Sequence, residues 1–240
     1  MKRLFFFLPL AALVACSSAA PKAYATTVGA LHPGAAISVS IDNGVLNAFR
    51  PAEGDPSTRF TVVASAYGDA SPPPAPMIRP QGNGISIDAT GKLANLLVRV
   101  PDGVDLNVNS KNGNVNVTDI TGNIVVHAGA GSIKIMVPGY AQATTNDGDI
   151  DLTMGAAHWP GTLHISSDNG DVTVYVPETA AFHARLHTDD GVLFTDFDLR
   201  GTSHGSNETI DAPVNGGGSF GLDLESKKGA VRLLRLTPQA

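Results

Sequence analysis

The sequence predicts an all-β protein built as a repeat-based β-solenoid, either a single-stranded β-helix or a β-roll. Apolar and polar residues alternate with the period of a β-strand from Ile37 to Leu236, and β-branched residues are frequent in these runs. A strand–glycine–strand unit recurs from Gly113 to Gly229. No segment of useful length has the apolar spacing of an amphipathic helix.

Each unit places apolar residues seven and five positions before its glycine and again two positions after it. Pairs such as Asn169-Gly170 tolerate positive φ, which a tight corner demands. Gly148, Gly170 and Gly191 are therefore expected at equivalent corners with a glycine-favouring φ. A hydroxyl residue stands three positions before the glycine in all units but the second, which has Ala128: the hydroxyl residues are Ser110, Thr145, Ser167, Thr188 and Ser226.

Two architectures fit this unit. A meander of hairpins would place each glycine in a hairpin turn, whereas a solenoid would place it at a corner between the strands of successive coils. The glycine-to-glycine steps are nearly regular, which favours stacked coils: they run through Gly113, Gly131, Gly148, Gly170, Gly191 and Gly229.

The first residues have the layout of an exported protein. Met1, Lys2 and Arg3 form a cationic start, and the apolar run that follows is too short to span a bilayer. The run ends at Leu13-Val14-Ala15-Cys16, which resembles a bacterial lipobox. We therefore expect a lipoprotein signal peptide at 1–15, a lipidated cysteine and tether at 16–30, and an adhesin-like β-domain at 31–240.

By the same resemblance, Cys16 carries the fatty acid (palmitate) that attaches the chain to the membrane. The absence of Asp at Ser17 implies sorting to the outer membrane of the cell envelope. An alternative is cleavage at Ala23-Tyr24-Ala25, which would release a soluble protein. Cys16 is the only cysteine, so the chain forms no internal disulfide.

Composition limits the possible partners. The net charge of −6 argues against nucleic acid, which requires a basic face. A proline-rich stretch, Ser71 to Pro80, is predicted as an exposed loop between the strands Arg59 to Tyr67 and Gly84 to Val100. Arg200 to Gly218 is rich in Gly, Ser and Asn, which predicts a flexible insertion.

Several segments of the repeat together resemble the bacterial adhesin-like family DUF4097. The resemblance implies a β-helix-like or β-roll domain at the cell surface, and it carries no catalytic or ligand residues. The segments run through Leu96–Val104, Ser110–Val115, Gly122–Ile124 and Ser166–Val172.

Three local patterns match catalytic or metal motifs only in part. Gly217-Gly218-Ser219-Phe220-Gly221 matches G-x-S-x-G, but a strand is expected after it where a hydrolase requires a helix. His183 and His187 have a zinc spacing only on a helix, whereas this segment alternates as a strand with both histidines on its polar face.

The third pattern, Asp147-Gly148-Asp149, is similar to part of a calcium loop, but turn chemistry explains its residues without a metal. We predict no catalytic residue, metal or cofactor. If corners stack in chain order, an acidic ridge would line up Asp147, Asp168, Asp189 and Asp190.

We predict a non-catalytic envelope lipoprotein whose β-solenoid binds or scaffolds an envelope protein or glycan through an extended outward face. Five outward positions exemplify that face: Asn116, Lys134, Asp151, Thr173 and His164. One alternative is a carbohydrate-active β-helix enzyme, although only one Trp and four Tyr are available as sugar platforms. Another is an envelope-stress or assembly accessory protein. A pocket, if present, is expected in the insertion, which contains His204, Ser206, Glu208 and Asp211.

Overall fold

A computed structural model describes residues 22–51, 58–66, 74–93 and 95–236, without the side chains of residues 92 and 93. The described residues form nineteen strands and no helix. The strands are β1 (Lys22–Ala30), β2 (Ala36–Phe49), β3 (Arg59–Ala66), β4 (Met77–Gln81), β5 (Gly84–Leu93), β6 (Asn95–Arg99), β7 (Asp105–Thr118), β8 (Ile124–Ala130), β9 (Ile133–Val137), β10 (Ala141–Asp147), β11 (Ile150–Met154), β12 (Thr162–Asn169), β13 (Val172–Pro177), β14 (Phe182–Asp190), β15 (Leu193–Thr195), β16 (Thr202–His204), β17 (Asn207–Val214), β18 (Gly221–Lys228) and β19 (Val231–Leu236).

The central strands stack as parallel coils in two rows, which we call row 1 and row 2. Each coil contributes the strand before its glycine to row 1 and the strand after it to row 2. In β2 and β7 a single strand runs through both rows, and the corner lies near its middle. Parallel pairing between coils confirms the predicted solenoid and contradicts the hairpin meander.

The coils are not stacked in chain order. β18 of the last coil pairs with β12 on one side and β14 on the other, and β19 lies in the same way between β13 and β15. At the opposite end, β2 lies between the coil of β5 and β6 and the long strand β7. Each terminal coil is therefore inserted one place inward from the end of the stack.

Antiparallel strands are added at both ends of the stack. β4 pairs with β5 in row 1, while β3 and then β1 continue row 2 beyond β6. At the other end, β17 and then β16 continue row 1 beyond β14, whereas row 2 stops at β15. The two ends of the stack therefore have different outlines.

One continuous apolar core lies between the rows. The alternation of the sequence places every second side chain inward, and these are mainly Ile, Val, Leu and Ala. The inward positions inferred from the repeat are buried, as in Leu106, Val115 and Val231, each fully buried. Phe182 is the largest of the fully buried side chains.

The corner glycines form one column along the stack. A Cβ on Gly170 would lie 2.2 Å from the carbonyl oxygen of Gly148, and one on Gly148 would lie 2.3 Å from that of Gly131. These two glycines have φ of +153° and +146°, as predicted. Gly191 has no positive φ, but a Cβ there would lie 2.0 Å from the carbonyl oxygen of Gly229.

The expectation for Gly191 is therefore wrong in its φ and right in its position. Because the last coil is inserted, Gly191 stacks on Gly229 and not on Gly170. Close approach of neighbouring coils, rather than one backbone angle, is what all corners share.

The hydroxyl residues of the repeat form a second, buried column. Ser226 Oγ donates a hydrogen bond to the carbonyl oxygen of Gly170 at 2.7 Å, and Ser167 Oγ donates to that of Gly148 at 2.8 Å. Thr188 Oγ1 donates to the carbonyl oxygen of Gly229 at 2.9 Å. These bonds join neighbouring coils, and each contributes on the order of 1 kcal/mol.

Three expectations about irregular segments are corrected. The predicted tether is wrong from Lys22 onward, because β1 pairs along its length with β3 and the β-structure therefore begins before residue 31. Met77–Gln81, at the end of the predicted proline-rich loop, is the edge strand β4, where Pro80 needs no ladder donor. The predicted flexible insertion contains the hairpin β16–β17, whose second strand pairs with β14.

Residues 1–21, which include Cys16 and the predicted signal peptide, lie outside the described residues. Within the described part of the chain, no helix is long and apolar enough to cross a membrane.

Candidate binding face

The outward side chains of row 1 form continuous columns across the coils. One column runs through Asn109, His127, Thr144 and Ser166, and it continues at the far end with Glu225, His187 and Thr209. Of these residues, His127 and His187 carry imidazoles and Glu225 carries a charge. Further charged and imidazole groups flank this column at its far end, on β12, β14, β17 and β18.

We define the histidine face as His164, His183, Arg185, His187, Asp211 and Asp223, on the outward side of β12, β14, β17 and β18. His164, Asp223, Arg185 and Asp211 lie in register across four adjacent strands. Bases and acids therefore alternate along one line.

The alternating groups of the histidine face contact one another. His164 Nδ1 lies 3.3 Å from Asp223 Oδ2, and Arg185 Nη1 lies 3.4 Å from the same oxygen. Arg185 Nε lies 3.6 Å from Asp211 Oδ2, and His183 Nε2 contacts Asp211 Oδ1. Both carboxylates are thus shared between two basic groups.

These groups remain accessible to a ligand. The side chains of His164 and Arg185 are 62% and 60% exposed. Exposed pairs of this kind contribute little to folding, because water screens them. Their alternation on a rigid sheet instead offers donors and acceptors at fixed positions.

The prediction for the two spaced histidines is confirmed. His183 and His187 lie on the outward, polar side of strand β14, not on a helix. Sequence reasoning identified these two histidines but missed their partners. Arg185 and Asp223 are 38 residues apart in the chain, so only the inserted coil brings them together.

The aspartates beside the corner glycines cap backbone groups of neighbouring coils. Asp149 Oδ1 accepts a hydrogen bond from the N–H of Asp171, and Asp171 Oδ1 accepts one from the N–H of Ala230, both at 2.8 Å. Turn and corner chemistry thus accounts for the residues similar to a calcium loop. Among the described residues, no group of three His, Cys, Asp or Glu side chains could hold a metal ion together.

Asp171 also forms an ion pair. Arg232 Nη1 lies 2.7 Å from Asp171 Oδ2. Burial alone would raise the pKa of Asp171, but the hydrogen bonds from Arg232 and Ala230 and the charge of Arg232 lower it overall. Asp171 is therefore a carboxylate that the folded chain holds ionised.

The predicted acidic ridge is wrong. Asn169 lies between Asp147 and the inserted strand, and Lys228 lies between Asn169 and Asp190. In the adjacent column, Lys227 Nζ lies 2.6 Å from Asp168 Oδ1, and the hydrogen bond and charge of Asp168 raise the pKa of Lys227. The inserted coil therefore supplies lysines between the carboxylates.

Outward positions of row 2 form their own column, as predicted for Asn116, Lys134, Asp151 and Thr173. The column continues through Arg232 to Phe194 at the edge. The guanidinium carbon of Arg232 lies 5.5 Å from the centroid of the Phe194 ring. His164 belongs to row 1, so the five predicted outward positions lie on two different faces.

The residues singled out in the insertion do not converge. Glu208 Oε2 accepts a hydrogen bond from the N–H of Leu193 at 2.8 Å and lines a groove of about 450 Å³. Asp211 belongs to the histidine face, and His204 lies exposed on β16. Ser206 is an exposed residue in the turn between β16 and β17.

Trp159 is a buried packing residue, and its ring is not exposed to stack against a sugar. The residue is 2% exposed, its Nε1 donates to the carbonyl oxygen of Gly221 at 2.8 Å, and its ring packs near Phe182 and Phe220. The G-x-S-x-G match also lacks the hydrolase context, because Ser219 leads into strand β18.

Sequence reasoning missed one hydroxyl–imidazole–carboxylate arrangement. His187 Nδ1 lies 3.2 Å from Thr209 Oγ1, and His187 Nε2 lies 3.0 Å from Asp189 Oδ1. Strands β14 and β17 are each paired on both sides, so their ladders occupy the local backbone N–H groups. Backbone N–H groups that are engaged in this way cannot serve as the donors of an oxyanion hole.

The fold therefore defines a two-row parallel β-solenoid with antiparallel strands added at its ends and with outward polar columns. The chain belongs to the DUF4097 family: the family model described as Toastrack DUF4097 matches residues 93–234. The matched segment begins after β2, although β2 lies inside the stack. No curated protein matches the chain significantly.

Solved structures have a similar fold. A putative cell adhesion protein from Clostridium sporogenes ATCC 15579 aligns with a TM-score of 0.50 and 13% identity, over 90% of this chain and 100% of that chain. A putative adhesin from Bacteroides fragilis NCTC 9343 aligns with a TM-score of 0.38 and 11% identity, over 88% of this chain and 96% of that chain. The first of these likenesses supports the solenoid fold and carries no site residues.

Proposed function

We propose that this protein is a non-catalytic, lipid-anchored protein of the cell envelope that binds another envelope component through the histidine face. The observation that carries the proposal is the line of alternating bases and acids across four adjacent strands: His164, Asp223, Arg185 and Asp211. The names of the similar structures support a surface or envelope role. The lipobox-like sequence at Cys16 supports the anchor.

A β-sheet face suits binding because its backbone is already ordered. Strands β14 and β18 are paired on both sides along the histidine face, and β17 is paired with β14 at Asp211, so binding costs little backbone entropy there. The side chains already contact one another, which limits their rotamers before a ligand arrives. Each shared carboxylate leaves its basic partners with further N–H donors for a ligand's acceptors.

Binding without turnover follows from the same geometry. Catalysis needs several groups that converge in a concave, partly dry site. The groups of the histidine face are largely exposed and aligned, and they do not surround a shared space. The partner is therefore held by polar and charged contacts, which makes binding sensitive to salt.

The test compares charge reversals on two faces of the full chain. Purified protein is incubated with envelope fractions from cells that lack it, and the bound fraction is measured as a function of salt. Arg185→Glu is expected to lower the affinity about tenfold, since loss of a charge-assisted contact and the new repulsion together cost about 1.4 kcal/mol or more. Lys134→Glu, on the outward side of row 2, is the matched control and should bind as wild type.

Equal binding by the two variants would overturn the histidine face as the binding site. A turnover screen against polysaccharide, ester and peptide substrates completes the test. Turnover by the wild type that Thr209→Val abolishes would overturn the non-catalytic assignment and assign the His187–Asp189–Thr209 arrangement to an active site.

A further inference from the structure

Row 2 ends in two unpaired strand edges, one at each end of the stack. Among the described strands, β1 pairs only with β3, and β15 pairs only with β19. An exposed strand edge presents backbone donors and acceptors to which another strand can add. The two edges therefore need either protection or a partner.

The edge of β15 borders a groove. The carbonyl oxygen of Val192 accepts a hydrogen bond from the N–H of Val231, and the N–H of Asp196 donates one to the carbonyl oxygen of Leu233. The backbone groups of the alternate residues Leu193 and Thr195 therefore point towards the open edge. Row 1 extends two strands further, as β17 and β16, and the groove of about 450 Å³ lies between that overhang and β15. Glu208 reaches from β17 to accept the Leu193 N–H, where a neighbouring strand would place a carbonyl oxygen.

The edge of β1 has a partly complementary outline. Row 2 extends two strands beyond β6, as β3 and β1, whereas row 1 extends one strand beyond β5. The pairings make β1 antiparallel to β3 and parallel to the central strands of row 2. A second copy stacked coaxially would therefore present β1 parallel to β15 and level with the vacant place in row 2.

Of the five large apolar side chains that are exposed in the described part of the chain, three lie at these two edges, and the others are Met77 on β4 and Met136 on β9. Val28 on β1 is 54% exposed, and Phe194 on β15 is 50% exposed. Val192, directly before β15, is 44% exposed. If β1 of one copy paired with β15 of another, these side chains would contact side chains of the adjacent strand in the extended row 2.

The two ends carry opposite charge. The strands β1, β3 and β4 contain Lys22, Arg59 and Arg79 and no acidic residue. The strands β15, β16 and β17 contain Glu208 and Asp211 and neither Lys nor Arg. Like ends would repel each other, so head-to-tail pairing is favoured over a symmetric joint of two identical ends.

We infer that copies of this protein associate head to tail, with β1 of one copy adding as a parallel strand to the β15 edge of the next. Such a heterologous joint leaves the same two edges free at the ends of every assembly, so it extends into linear arrays. In a coaxial stack, β4 of the incoming copy would occupy the same level of row 1 as β16. The joint therefore requires β16 to move aside; all three residues of this short strand are exposed. Of the histidine face, Asp211 alone lies on one of the strands that form this end of the stack.

The test uses cysteine cross-linking of the full chain in producing cells. A Val28→Cys, Phe194→Cys double variant is oxidised, and the products are separated by size without reductant. The two positions lie at opposite ends of ten strands of row 2, about 43 Å apart at about 4.8 Å per strand, so no bond can form within one copy. A ladder of dimers and larger multimers is expected.

The control is a Met136→Cys, Phe194→Cys double variant. It keeps the cysteine at the β15 edge and moves the other to a similarly exposed position in the middle of row 2, and no ladder is expected from it. The wild type reports any background from Cys16. In the double-cysteine chain, Glu208→Lys should remove most of the ladder by reversing the charge of the groove, whereas Lys134→Glu should leave it unchanged.

Three outcomes would overturn the inference. The first is a chain that stays monomeric although both cysteines react with a small maleimide. The second is dimer formation by the single variants alone, which would show joints between like ends. The third is a cross-link from Phe194→Cys to a different protein only. None of these outcomes affects the binding test of Arg185→Glu, so the two proposals fail separately.

Discussion

Replacement of Gly170 by alanine tests whether close approach of the coils fixes the corner glycines. A Cβ at this position would lie 2.2 Å from the carbonyl oxygen of Gly148, and the φ of +153° belongs to a region that other residues rarely adopt. The backbone conformation costs about 1–3 kcal/mol, and forcing the neighbouring coil away costs a further 1–3 kcal/mol or so. Gly170→Ala is therefore expected to destabilise the fold by about 2–6 kcal/mol in total.

Two matched variants separate the contributions. Gly161 has a φ of +67° and open space around it, so Gly161→Ala loses only about 1–2 kcal/mol of conformational energy. Gly139 has neither a positive φ nor a neighbour within 4 Å, so Gly139→Ala should be nearly neutral. Thermal unfolding followed by circular dichroism should place Gly170→Ala about 4–24 °C below the wild type, at about 2–4 °C per kcal/mol. A melting temperature equal to that of Gly139→Ala would refute the stacked glycine column.

Three further predictions concern the hydroxyl column, the corner carboxylate and the anchor. Ser167→Ala should lower the free energy of unfolding by about 1–3 kcal/mol, because it leaves the Gly148 carbonyl without its donor, while Ser166→Ala on the outward side should change little in the same denaturant titration. The pKa of Asp171 is lowered from 3.8 in the folded protein, so the stabilisation of the fold by its carboxylate is complete above about pH 4 and is lost as the pH falls through the folded pKa. The difference in free energy of unfolding between wild type and Asp171→Asn should therefore shrink as the pH is lowered. A constant difference would contradict the ion pair with Arg232. Cys16→Ser should leave unprocessed precursor that takes up no labelled fatty acid, and a mature wild-type chain without lipid would disprove the anchor.

The register of the repeat could be predicted from sequence because it depends on local chemistry. Strand alternation fixes which side chains point inward, and a hydroxyl three residues before the glycine, in every unit but the second, marks the buried column. Ser167 and Ser226 were identifiable for this reason. The structure adds the acceptors of these two hydroxyls, which belong to neighbouring coils.

The order of the coils could not be predicted in the same way. Every coil offers similar apolar strands, so the pattern does not reveal that β18 and β19 insert between two earlier coils. That insertion produces the Arg185–Asp223 contact and interrupts the expected acidic ridge with Lys228. The candidate site was therefore only partly predictable, since the histidines follow from the strand pattern but their partners follow from long-range pairing.

The hairpin β16–β17 was missed because its composition is dominated by turn-forming residues. Its stability comes from pairing with β14, where Ile210 is buried opposite Leu186. Tertiary packing here overrides the local preference of a Gly-, Ser- and Asn-rich segment.

Photo-cross-linking in living cells tests the histidine face most directly. A photoreactive amino acid is placed at His164 in one strain and at Lys134 in another, so that the probe sits on the outward side of row 1 or row 2 of the same intact chain. We predict a specific adduct from position 164 that Arg185→Glu removes, and none from position 134. Equal adducts from both positions, or an adduct from position 134 alone, would contradict binding through the histidine face.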